Sequence, residues 1–184
     1  WGDLTYQGAL INEIEEQGMN AICVFSNGMP IEEMGMPSLT KVFDWYFCKD
    51  GVPAIDALIN IMKFSLSSSG NISIDYFKKW NVPILAGYTI MTDYDEWKES
   101  FEGMNPMEVS IAIALPEFDG TIHGVPVAYK KVLENGDVNY LPIPERVHRM
   151  VNKARKWARL RRKANSDKKI AIIFHNYPPR NSNI

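Results

Sequence analysis

Cysteine is almost absent from this chain of 184 residues: Cys23 and Cys48 are the two it has, with no CxxC and no repeated Cys/His spacing around them. Neither a disulfide framework nor a zinc knuckle is therefore expected, and two retained thiols suit a reducing cytoplasm. Long apolar runs are missing too. Uncharged apolar runs such as Val109 to Leu115 and Ile170 to Phe174 fall far short of the roughly 20 residues that a membrane-spanning helix needs, so no membrane span is expected. No GxxxxGK[ST] phosphate loop and no GxGxxG fingerprint occurs, which assigns any nucleotide to another chain. A GxSxG elbow is also lacking, so a hydrolase reading has no support. Trp1 is followed by no basic-then-apolar leader pattern, and both ends are expected to be cuts in a longer chain.

What the chain does have is apolar mass. With 46% apolar and 11% aromatic residues, it can bury a sizeable core, which excludes disorder and implies one or two compact domains. The net charge of −2 conceals an asymmetry: residues 1–145 carry 8 Lys/Arg against 21 Asp/Glu, and residues 146–184 carry 12 against 1. An acidic body precedes a basic segment.

Tyr6, Leu10, Ile11 and Ile14 recur at helical spacing before Gly18, and Leu39, Val42, Phe43, Tyr46 and Phe47 form a second stripe with Ser38 as N-cap. Ala21–Phe25, Ala54–Phe64 and Val82–Ile90 read as apolar strands. Ser65–Asn71 reads as a loop and Ile74–Trp80 as a short helix. Thr92 or Asp93 can cap a helix containing Trp97 and Phe101, while Asn105-Pro106-Met107-Glu108 is an N-cap signature. This alternation indicates an α/β fold with a mainly parallel open sheet and helices on both faces, of the Rossmann or flavodoxin-like kind. Val125–Leu133 and Val138–Leu141, joined through Asn135-Gly136, predict a β-hairpin with a type I′ turn. Pro144 starts a long basic helix with the apolar stripe Val147, Met150, Val151, Ala154, Trp157 and Ala158, followed by a buried strand, Ile170–Phe174. The expected division is an α/β domain over 1–141, and the helix and strand over 142–184 leading into a further region.

Ligands of open α/β sheets sit beyond the carboxyl ends of the strands, which directs attention to the loops at 26–30, 65–71, 89–93 and from His175 onward. Ser67 and Ser68 offer hydroxyl and backbone donors to an anionic group, or simply form a polar turn. Leu115-Pro116-Glu117-Phe118-Asp119-Gly120 sets two carboxylates two residues apart beside a glycine, with His123 close behind. Carboxylates and imidazole suit divalent-metal ligation and proton abstraction, although the same residues also make capped turns. His175 and Asn176 would project from a strand end into the ligand crevice, or form a rigid exit with Pro178 and Pro179.

Three segments carry a resemblance: ALPEFDG (Ala114 to Gly120), PERV with the basic RKWARLRRK helix (Pro144 to Lys163), and KIAIIFHNYPPRNSNI (Lys169 to Ile184). In order and spacing they resemble the large subunits of ATP-dependent metal chelatases, the family of cobaltochelatase and the magnesium chelatase H subunit. Where the H branch has PELDG and an FSFPP-like sequence, this chain has PEFDG and HNYPP, so His175 leans toward the cobalt branch. The resemblance implies a large subunit that binds tetrapyrrole and metal, and two smaller subunits, an AAA+ ATPase and an adaptor, that hold ATP and Mg²⁺. It further implies Co²⁺ as the substrate metal and hydrogenobyrinic acid a,c-diamide as the macrocycle, with protoporphyrin IX as the alternative on the magnesium branch. On this footing Glu117 and His175 are expected to be catalytic, and Ser67, Ser68 and Asn176 to bind substrate. Glu117, Asp119, His123 and His175 are the expected metal ligands. No resident cofactor and no nucleic-acid partner are expected; a non-catalytic binding or assembly module is the competing class.

Overall fold

The computed structural model describes residues 3–26, 30–70 and 72–173. Helix α1 (Thr5–Glu16) stops as its sequence directs: Gly18 takes φ +76°, and the Met19 N–H reaches back to the Ile14 carbonyl at 3.1 Å. Helix α2 (Leu39–Phe47) is capped by Ser38, whose hydroxyl accepts from the Lys41 N–H, and it buries Leu39, Val42, Phe43 and Phe47. A small antiparallel ribbon follows, β1 (Cys48–Lys49) with β2 (Val52–Pro53).

The main sheet has four strands in the order β3 (Leu58–Asn60), β4 (Ile84–Ile90), β5 (Ile122–Val132) and β6 (Val138–Pro142). The β3–β4 and β4–β5 pairs are parallel, and β5–β6 is antiparallel. Helices α3 (Leu66–Gly70) and α4 (Ile74–Trp80) connect the first parallel pair. The second is connected by α5 (Tyr94–Glu99), α6 (Pro106–Val109), a π-helical turn (Ser110–Ala114) and α7 (Leu115–Glu117), and α8 (Pro144–Arg162) follows the sheet.

Strand side chains alternate between faces, so each strand feeds two layers. On one face Leu85, Val125 and Val127 meet α1 and α8 through Tyr6, Leu10, Val147, Met150, Val151 and Ala154. On the other, Ile84 joins an aromatic cluster of Phe43, Phe47, Phe77 and Trp80. Tyr88 and Ile90 pack with Ala112 and Ile143. Helix α1 also packs against β6, and the Asp3 carboxylate accepts from the Tyr140 N–H at 2.7 Å.

Helices do flank the sheet, but the expectation of a mainly parallel, open Rossmann-like sheet is corrected to a mixed α/β fold around a short, partly antiparallel sheet. Three apolar runs explain the difference. Ala21–Phe25 forms no strand, and its Phe25 is 72% exposed. Ala54–Phe64 contributes only Leu58–Asn60, because the Asn60 side chain takes the Met62 N–H and the chain reverses at Lys63. Residues 170–173 lie outside the sheet, with Ile173 92% exposed, while Phe174 falls outside the described residues. An apolar run shows a preference for burial; pairing needs a neighbouring strand in register.

Smaller corrections are local. The Ser65–Asn71 loop contains a helical turn from Leu66. Helix α5 ends at Glu99, which leaves Phe101 fully exposed. In the hairpin, Gly136 has φ +86° while Asn135 does not share a positive φ. The Gly136 N–H bonds the Leu133 carbonyl at 2.9 Å, and the Leu133 N–H bonds the Asp137 carbonyl at 2.8 Å. The connection is thus a three-residue loop with a glycine bulge in place of a type I′ turn.

Candidate functional site

The PEFDG segment is the end of a helix, and its geometry follows from one proline and one glycine. Pro116 has no N–H and crowds the turn before it. The helix ahead widens to the π form, with the Leu115 N–H bonded to the Ser110 carbonyl. Gly120 then takes φ +79°, so that the Thr121 N–H reaches the Pro116 carbonyl at 3.2 Å and its own N–H reaches that of Glu117 at 3.0 Å. This pair of bonds is a Schellman cap.

The cap separates the two carboxylates. Asp119 turns inward and is 4% exposed. Its Oδ1 accepts from the Ser65 hydroxyl at 2.9 Å and the Ser67 N–H at 3.3 Å, and also from the Ser67 hydroxyl; Oδ2 accepts from the Leu66 N–H. Ser65 Oγ in turn accepts from the Ser68 N–H at 3.0 Å. The anion received by the serine-rich segment is therefore the chain's own Asp119, and the donors of Ser67 are spent on it. Ser68 is exposed beside this junction.

Glu117 faces outward. It borders a shallow groove of about 370 Å³ with Ile74, Phe77, Lys78, Val82 and Phe118, and its carboxylate has no hydrogen bond or ion pair among the described residues. Lys78 is held 3.0 Å from Asp75 on the same rim. His123 lies near the start of β5, and His175 and Asn176 lie outside the described residues. Among the described residues no group of three or more His, Cys, Asp or Glu side chains is assembled to hold a metal ion. The structure thus brings Asp119 together with Ser67, displays Glu117 separately, and describes no junction between either carboxylate and His175.

A second set of polar groups, missed in the sequence, sits at the carboxyl ends of β3 and β4. Lys63 Nζ lies 3.0 Å from Met91 Sδ. The Glu108 carboxylate accepts from the Met91 N–H at 2.9 Å and from Asn105 Nδ2 at 2.6 Å. Burial pushes the Lys63 ammonium below its ordinary pKa, opposed by the charge of Glu108. The capping signature at Asn105 pointed to Glu108, but its contact across 17 residues to Met91 has no local signal. On α8, Arg162 pairs with Asp56 and Arg161 donates to the Ile55 carbonyl at 3.0 Å, so part of the basic helix is committed within the fold.

These features define a class: a mixed α/β domain that displays an exposed carboxylate on a capped turn beside a largely apolar groove. The CobN/Magnesium Chelatase family model matches residues 1–184, and the chain belongs to that family. An uncharacterized protein of Methanocaldococcus jannaschii is 39% identical over 99% of this chain and 16% of its own length. The aerobic cobaltochelatase subunit CobN of Pseudomonas aeruginosa is 30% identical over 79% of this chain and 12% of its own. Among solved structures, the catalytic subunit of cobaltochelatase from Mycobacterium tuberculosis matches with a TM-score of 0.68 and 25% identity, covering 91% of this chain and 14% of that one. The chain therefore spans between 12% and 16% of these proteins. No described helix is long and apolar enough to cross a membrane.

Proposed function

We propose that this chain is a segment of the large subunit of an ATP-dependent cobaltochelatase. That enzyme inserts Co²⁺ into hydrogenobyrinic acid a,c-diamide while partner AAA+ and adaptor subunits hydrolyse ATP, in a reducing cytoplasm. The observation that carries this reading is the likeness, over nearly the whole chain, to the solved catalytic subunit of a cobaltochelatase. Glu117 is the residue with the chemistry and the freedom to act. Its backbone is fixed by the Schellman cap while its carboxylate stays open to the groove. There it can take a ligand position on the hydrated metal ion, or accept a proton from the macrocycle's inner N–H groups. His175 offers a neutral imidazole for the same ion. Asp119 is a positioning residue in this scheme, since its oxygens are occupied by the Ser65–Ser67 segment.

Magnesium insertion into protoporphyrin IX is the second reading, favoured by a family description that names both branches. Visible-absorption titration with each macrocycle separates them. The site is tested in the assembled enzyme with Glu117→Gln and His175→Asn, following melting temperature and insertion rate together. The expected result is a lower rate at unchanged melting temperature. A wild-type rate in both variants, or activity that falls only with the folded fraction, removes both residues from the mechanism.

A further inference from the structure

The chain reverses at Lys63 through a three-residue turn in which the Phe64 N–H bonds the Met62 carbonyl at 2.8 Å. Lys63 occupies the centre with φ +64°, the strained form of such a turn for any residue with a Cβ. Both flanks hold it there. Asn60 Oδ1 takes the Met62 N–H at 2.9 Å, and Ser65 is tied to Asp119 at 2.9 Å. Glycine would make this reversal without strain. The fold needs the turn; it does not need a lysine in it.

The lysine side chain is in turn poorly served. Its ammonium is partly desolvated, and its hydrogen-bond partner among the described residues is the thioether of Met91, a weak acceptor. Glu108 acts on it electrostatically, yet the Glu108 oxygens are engaged by the Met91 N–H and by Asn105, and no carboxylate lies within ion-pair distance of Lys63 among the described residues. The group stands at the carboxyl ends of the parallel strands β3 and β4, beside Met91 and Glu108. We infer that Lys63 anchors a carboxylate-binding subsite at the carboxyl ends of β3 and β4, one that receives a peripheral carboxylate of the macrocycle. This rests on the tetrapyrrole reading above.

The test is visible-absorption titration of this chain with hydrogenobyrinic acid a,c-diamide and with its fully methyl-esterified form, for wild type, Lys63→Met and Lys63→Arg. A charge-assisted contact predicts that wild type prefers the acid by about ten-fold. Lys63→Met should abolish the preference by weakening the acid alone, and Lys63→Arg should keep most of it. Equal affinity of wild type for acid and ester, or a preference unchanged in Lys63→Met, overturns the subsite while leaving tetrapyrrole binding intact. A second arm uses succinate and the melting temperature. If neither form of the macrocycle binds wild type, the macrocycle assignment falls with the functional reading. Stabilisation of wild type but not of Lys63→Met by succinate then supports the carboxylate site, and stabilisation of both or neither overturns it.

Discussion

Helix α8 and the PEFDG cap both carry the family likeness, yet they are held by opposite means. Helix α8 is held by area: Val147, Met150, Val151 and Ala154 are buried together against α1 and the sheet. The cap is held by direction, through the hydrogen bonds that converge on the one Asp119 carboxylate. Area is divisible, so the loss of one side chain from α8 leaves the others in place. A carboxylate hub is not, because its removal leaves several buried donors unpaired at once.

The largest expected effect therefore falls on the hub. Asp119→Ala should cost about 4 kcal/mol, by exposing the unmet donors of Leu66, Ser67 and Ser65. A urea melt that finds less than about 1.5 kcal/mol would break the comparison. Met150→Ala, at a fully buried position of α8, should cost about 3 kcal/mol, with the helix retained. Trp157→Ala sharpens this further. The sequence stripe alone would suggest about 3 to 5 kcal/mol for full burial, but Trp157 is only partly buried, and about 2 kcal/mol is expected by thermal or urea denaturation. Lys63→Gly should raise stability by about 1 kcal/mol through relief of the positive-φ turn. A destabilised variant would show that the lysine stem packs more tightly than its turn is strained. Smallest is Glu117→Gln, at an exposed side chain with no polar partner among the described residues, which should change stability by less than about 0.5 kcal/mol.

What could be read from sequence was what is encoded locally. Ser38 and Asn105 cap the helices they were expected to cap, and of the two candidates Thr92 and Asp93 it is Asp93 that caps α5, because a cap acts within three residues. The α8 stripe was equally legible, since a helix keeps its period regardless of its neighbours. The sheet was not. Ala21–Phe25 and Ile170–Ile173 have the composition of strands, but a strand exists only beside a partner, and sequence pattern carries no information on partners. The candidate site divides along the same line. Glu117 and Asp119 were found together by proximity in sequence, whereas their opposite orientations come from the Gly120 cap and from Ser65, 54 residues from Asp119. Lys63 was invisible because nothing in its local sequence announces a strained reversal.

The contact between Asp3 and Tyr140 has a consequence for how the sheet can grow. Strand β6 offers its outer N–H groups to any passing strand, and such an edge is a template for unwanted addition. With the Tyr140 N–H already taken by Asp3, that margin is shielded at this position. A strand adding at the β6 margin would first have to displace the Asp3 carboxylate from the Tyr140 N–H.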